Sequence, residues 1–160
     1  MALNAYVTIK GSKQGKFQGD STPGAPAGST RFLSYSYEIT SPRDIATGQS
    51  SGKRMHKPFV IIKEWDAASP QLFQACVTNE LLPQVTLAFY QTTPAGEQQR
   101  YHTITLTNAM ISNLKQFVAD PVLAAEYDAA DLEEISFTYQ KIEISDVRSS
   151  KSAADDWNAG

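Results

Sequence analysis

Alternation with a period of two dominates the chain. Tyr6-Val7-Thr8-Ile9-Lys10 places Val7 and Ile9 on one face. From Phe32 to Thr40, Leu33, Tyr35, Tyr37 and Ile39 fall on one side, which reads as core, and Ser34, Ser36 and Glu38 on the other. Val85, Leu87 and Phe89 alternate with Thr86, Ala88 and Tyr90; His102, Ile104 and Leu106 alternate with Tyr101, Thr103, Thr105 and Thr107. Such runs, rich in β-branched and aromatic residues, predict half-buried strands. Phe59-Val60-Ile61-Ile62 is apolar on both faces and predicts a strand covered on both sides. In the last run Ile135, Phe137 and Tyr139 hold odd positions, then Ile142 and Ile144 even ones. One extra residue near Gln140-Lys141, a β-bulge, would return both sets to the core.

One stretch departs from period two. Ser69-Pro70 predicts an N-cap followed by proline at the first helical position. Leu72, Phe73, Cys76 and Val77 then form one apolar stripe, and Pro83 closes the segment. The expected fold is mainly β: a two-sheet β-barrel or sandwich with one short flanking α-helix. Residues 19–29, 41–52 and 120–131 read as loops, and past Ile144 the chain is polar until Trp157. One domain is expected over residues 1–146, with a C-terminal tail over 147–160.

Composition narrows the function classes. The chain has 160 residues, 41% hydrophobic and 19% charged, which suits a single domain with an ordinary core. With 14 Lys+Arg against 17 Asp+Glu the net charge is −3, so no nucleic-acid partner is expected. No run approaches the roughly 18 apolar residues of a membrane span, and no membrane insertion is expected. The N-terminus lacks the cationic and apolar regions of a secretory signal. Two routes follow: residence in the cytosol, or export by machinery that does not read such a signal.

Catalytic chemistry finds little support. His56 and His102 are the two histidines, no Gly-x-Ser-x-Gly elbow surrounds any serine, and Cys76 is the single cysteine. One cysteine excludes an intrachain disulfide and a multi-cysteine metal site, and neither a metal nor a cofactor is expected. Cys76 lies on the apolar stripe of the helix, where thiols are inert. A Cys76–His102 dyad is the alternative: a monomeric β-barrel that binds a small ligand or acts as a hydrolase. Gly11-Ser12-Lys13-Gln14-Gly15-Lys16-Phe17 fails as a phosphate-binding loop. Three residues separate its glycines where four are needed, and Phe17 takes the place of the Ser/Thr.

Two charge clusters read either as solvated loop ends or as complementary patches that meet between copies. Lys53, Arg54, His56 and Lys57 put four basic residues into five positions; Glu126, Asp128, Asp131, Glu133 and Glu134 put five acids into nine. Such patches set register and on-rate more than affinity. The doubly apolar Phe59–Ile62 strand, the polar loop before it and the isolated Trp157 would also be better satisfied by a neighbour than by water. A self-associating β-domain is the reading from the residues.

The chain also resembles the hemolysin-coregulated protein family, the tube subunits of bacterial type VI secretion systems. The resemblance lies in Tyr6–Gly11, Ser51–Phe59, Asp66–Leu72, Leu82–Leu87, Tyr101–Ala109, Phe137–Ile142 and Ala154–Trp157, in the family's order along nearly the whole chain. It implies a homohexameric ring of β-barrels, rings stacked into a hollow tube, a contractile sheath around it and a spike protein at its tip. It further implies small effectors carried in the lumen, no enzymatic activity, and assembly in the bacterial cytoplasm before firing into a neighbouring cell without a signal peptide. The 41–52 loop is similar in place to the family's extended loop, which contacts the adjacent ring. On this basis Lys53, Arg54, Lys57, Glu126, Asp128, Asp131, Glu133, Glu134 and Trp157 are expected at ring or inter-ring contacts. Ser34, Ser36 and Glu38 are expected to face the lumen and its cargo.

Overall fold

The computed structural model describes residues 4–20, 25–118, 120–122, 125 and 131–157. Along them run β1 (Asn4–Gly11), β2 (Gly15–Lys16), β3 (Thr30–Arg31), β4 (Ser34–Ser36), β5 (Ile39–Thr40), β6 (Met55–His56), β7 (Phe59–Glu64), α1 (Ser69–Thr78), β8 (Leu82–Thr92), β9 (Gln98–Val118), β10 (Asp131–Thr138), β11 (Lys141–Asp146) and β12 (Lys151–Asp156). The alternation dictates which side chains face inward. Val7, Ile9, Val85, Leu87, Phe89, Ile104 and Leu106 meet in one core with Phe59, Ile61, Ile135 and Phe137. Each large side chain so buried contributes about 1.5–3 kcal/mol relative to exposure.

The 21-residue β9 organises the fold. Its first half lies between β8 and β11, and its second half pairs β10. One layer is thus β2-β1-β8-β9-β11-β12 and the other β9-β10-β7-β4, antiparallel throughout. The phase break near Gln140 is the corner between these layers, not a bulge within one strand. β10 ends at Thr138, Gln140 N–H donates to Thr107 O (3.1 Å), and β11 then continues along the same β9 in the other layer. The ladder irregularity itself falls at Ser136/Phe137, and Asn108 at the bend of β9 takes a left-handed φ of 51°.

The layers do not close into a barrel. β3 pairs β1 and β4 pairs β7, but Phe32 and Leu33 separate the two ladders. Phe32 fills the core from this break. Tyr35 faces the core side opposite Ile61 and stacks on Phe59 (ring centroids 5.5 Å apart), as does Tyr37 (5.3 Å). At this edge, however, Tyr35 stays 39% exposed and Ile39 44% exposed, so the expected core run over 33–39 caps the core and does not fill it.

Two other local expectations change. In α1 the residue before the helix is Ala68, with no side-chain cap; Asp66 Oδ1 instead accepts from Ala68 N–H (3.0 Å). Leu72 and Ala75 face inward while Phe73 and Val77 point outward, because helix position is set by Ser69, which is tied down as described below. Pro83 lies within β8. The stretch read as a tail carries β12, which forms a hairpin with β11. Its sequence, Lys-Ser-Ala-Ala-Asp-Asp, has no apolar alternation to announce a strand.

Candidate functional site

The basic run finds its partners within the same chain. β12 brings Asp155 over β6, where its Oδ2 accepts from Arg54 Nε and lies 2.6 Å from His56 Nε2. Arg54 Nη2 donates to Asp156 O (3.1 Å), and Lys53 Nζ to Trp157 O (2.9 Å). The Arg54 hydrogen bond, seconded by that of His56, pulls the Asp155 carboxyl down to about 2. Trp157 is not isolated: it packs edge-on to His56 (5.1 Å) and stacks on Tyr139 (5.7 Å). Tyr139 donates its hydroxyl to Lys57 O (3.1 Å), and burial pushes its pKa up to about 12. Lys57 pairs with Glu38 at 3.2 Å on the exposed surface, a contact of the kind that contributes about 0–1 kcal/mol. The cluster clamps β12 and Trp157 onto the base of the 41–52 loop.

The acidic run divides. Glu126 and Asp128 lie outside the described residues. Asp131 is exposed and Glu134 half-buried. Glu133 is fully buried and leaves the set of surface acids: its Oε2 lies 2.5 Å from Lys63 Nζ and accepts from Ser69 Oγ (2.9 Å), while Gln116 Nε2 donates to Oε1 (2.9 Å). Lys63 also donates to Asp66 Oδ1 (3.0 Å) and Glu64 O (2.9 Å). Nearly every hydrogen-bonding site of the pair is met, as burial of charge requires. The network pins the start of α1 to β7 and β10. A sequence signal did exist: Lys63 continues the inward phase of Phe59 and Ile61, and Glu133 that of Ile135 and Phe137.

The turn that superficially resembles a phosphate loop holds an anion of its own. Glu80 Oε2 accepts from the N–H groups of Lys13 (3.1 Å) and Gln14 (3.0 Å), and Oε1 from Gln14 Nε2 (3.1 Å). Burial pushes the Glu80 carboxyl up, but these hydrogen bonds and the nearby Lys13 charge together bring its pKa below the ordinary value. A Cβ at Gly11 would stand 2.1 Å from Glu80 Oε2, so glycine is what lets the carboxylate in.

Ser34 and Ser36 share the outward face of the β9-β10-β7-β4 layer with their cross-strand partners Ile62 and Val60. Ser136, opposite Val60 on β10, joins them. Glu38 lies beyond β4, exposed, and is held by Lys57. Among the described residues this layer ends in two unpaired edges. No strand lies on the far side of β4, and none on the β8 side of β9 past Ala109. Cys76 packs against the core from α1, and His102 lies against Phe89 (5.5 Å) and Tyr101; the two make no contact with each other among the described residues. No cluster of three or more His, Cys, Asp or Glu among those residues is placed to hold a metal ion, and no helix is long and apolar enough to cross a membrane.

A family model described as "Type VI secretion system effector, Hcp" matches residues 6–145. The chain belongs to the Hcp family. Among Hcp relatives it is similar to the major exported protein of Pseudomonas aeruginosa strain PAO1, with 34% identity over 168 aligned positions spanning 99% of this chain and 98% of that one. A crystal structure of an Hcp protein matches with a TM-score of 0.90 at 28% identity, covering 99% of this chain and 100% of the other. The secreted protein Hcp3 of Pseudomonas aeruginosa matches with a TM-score of 0.76 at 29% identity, covering 98% and 99%. Family membership and the mainly β fold expected from the sequence therefore hold. In this chain the second strand of the β11–β12 hairpin lies beyond the matched span.

Proposed function

We propose that this chain is a structural tube subunit of a type VI secretion system, with no enzymatic activity of its own. Six copies close into a ring, and rings stack into a tube that is exported and carries small effectors in its lumen. Its partners are further copies of itself, the spike protein, the contractile sheath and the effectors. It assembles in the cytoplasm and leaves through the apparatus.

The observation that carries this reading is the layer open at both edges. A four-stranded sheet with one free edge at β4 and another at β9 joins head to tail, the heterologous contact that generates rings. Unpaired edges left to water invite uncontrolled pairing, and closure on sister copies removes them. Val60 and Ile62 lie half-buried on the outward face of this layer, next to the small polar Ser34, Ser36 and Ser136. A channel wall of that character passes cargo without trapping it, and Ser34, Ser36 and Glu38 are proposed to line it. The exposed Lys57 and Asp131 and the half-buried Glu134, with the acidic run that includes Glu126 and Asp128, are proposed to set register between copies. Lys53, Arg54 and Trp157 act there indirectly, by shaping the base of the 41–52 loop.

Electron microscopy of the purified chain with size-exclusion chromatography tests the reading. Six-fold annuli eluting at six times the protomer mass are expected. Single compact particles at every concentration reached would overturn it.

A further inference from the structure

On the outward face of the other layer, a cavity of about 420 Å³ opens between β1, β2, β8 and β9. Its floor is small, with Thr86 and Ala88 from β8, and Pro26 borders it. Three long cations, Lys10, Lys16 and Arg100, reach it from three different strands, and among the described residues no carboxylate lines it. We infer that this groove is a docking site for an acidic, extended polypeptide segment of a partner protein. The proposal rests on the protomer's own geometry and does not depend on ring closure.

The charge balance of the molecule argues for it. The chain carries a net charge of −3, and the ion-paired cations of the described surface, Arg54 with Asp155, Lys57 with Glu38 and Arg148 with Asp146, lie away from the groove. Lys10, Lys16 and Arg100 make no ion pair among the described residues, and the three like charges line one groove. Arg100 is already oriented: its guanidinium donates to Tyr90 Oη (3.0 and 3.3 Å) and lies 5.5 Å from the centre of that ring. A rigid guanidinium fork fits a carboxylate in two parallel hydrogen bonds, and the two lysines supply less directional charge at either side. The small floor lets a backbone lie close to the sheet. A polyanionic nucleic acid fits less well, because three cations on a net-acidic chain fall short of a continuous basic track.

The probe is a fluorescently labelled twelve-residue peptide of alternating Glu and Gly, titrated against the assembled protein at low and physiological salt. A Gln/Gly peptide and a single-stranded DNA oligonucleotide serve as comparisons. Saturable binding of the acidic peptide is expected, weakening with salt and falling at least ten-fold in the Lys10→Glu/Arg100→Glu variant. The milder Lys10→Ala/Arg100→Ala pair should lie between. Three outcomes would overturn the inference. The first is no saturable binding, or equal binding by the variants. The second is tighter binding of the oligonucleotide. The third is loss of assembly in the charge-reversed variant while the wild type assembles, which would make the groove a contact between copies. A wild-type chain that never assembles but binds the peptide would sink the ring and leave the groove standing.

Discussion

Lys63 and Glu133 face each other directly across β7 and β10, both fully buried, with Nζ and Oε2 2.5 Å apart. Removing one partner strands the other's charge in the core. Glu133→Leu should therefore destabilise the fold by about 3–5 kcal/mol, read as a lower denaturant midpoint. The double variant Lys63→Met/Glu133→Leu should recover most of that loss, since a well-packed apolar pair replaces an ion pair at little cost. Equal destabilisation by the single and double variants would show that Ser69, Asp66 and Gln116, left without partners, carry the cost.

Glu80 makes a second buried carboxylate, satisfied by the 12–14 turn. Glu80→Gln replaces an acceptor oxygen by a donor facing backbone N–H groups, at a cost of about 1–3 kcal/mol. The pH dependence has a definite sign. A carboxyl whose folded pKa lies below its unfolded value of 4.5 contributes stability that is present above that value and lost as pH falls through the lower folded pKa. The wild type should thus lose stability below pH 4.5 more steeply than Glu80→Gln. Parallel acid-unfolding curves would argue against it. Gly11→Ala should be destabilising through the same carboxylate.

Asp155 holds Trp157 in place through Arg54 and His56, so Asp155→Asn should loosen the C-terminal strand without unfolding the core. In a Trp65→Phe background, Trp157 emission should shift to the red and the 147–157 stretch should become more sensitive to protease. The same release is expected in acid. The clamp's contribution is present above the unfolded carboxyl value of 3.8 and lost as pH falls through about 2. Emission that stays unchanged in both the variant and the acid titration would show that ring stacking on Tyr139 suffices.

The sequence made the strands legible wherever one face met the core, because period-two alternation records burial. It also identified the helix. It was silent where pairing, not burial, makes the strand: β12 is polar throughout and is held by its hairpin with β11. The two charge clusters were visible as composition, but their partners were not. Arg54 finds Asp155 101 positions away, and Lys63 finds Glu133 only after β7 and β10 pair. Local order along the chain carries no record of such contacts. Glu133 and Lys63 did sit in the inward phase of apolar strands, and a charge in that phase is itself the sign of a buried partner.

On the proposed function, substitution of Ser36 should separate cargo binding from assembly. The residue lies exposed on β4, on the outward face with Val60, and its side chain makes no hydrogen bond among the described residues. Ser36→Trp should therefore fold and close into rings of unchanged mass, since edge pairing uses backbone groups that the substitution leaves in place. If this face lines the lumen, six indoles then narrow the channel, and the amount of co-purified effector should fall several-fold at constant ring yield. Charge is a useful second axis: Ser36→Glu keeps the channel wide but makes it more acidic, and should discriminate against acidic cargo alone. Unaltered cargo retention in both variants, with rings intact, would place β4 on the outside of the annulus. Loss of rings in Ser36→Glu as well as Ser36→Trp would instead place the serine in the seam between copies.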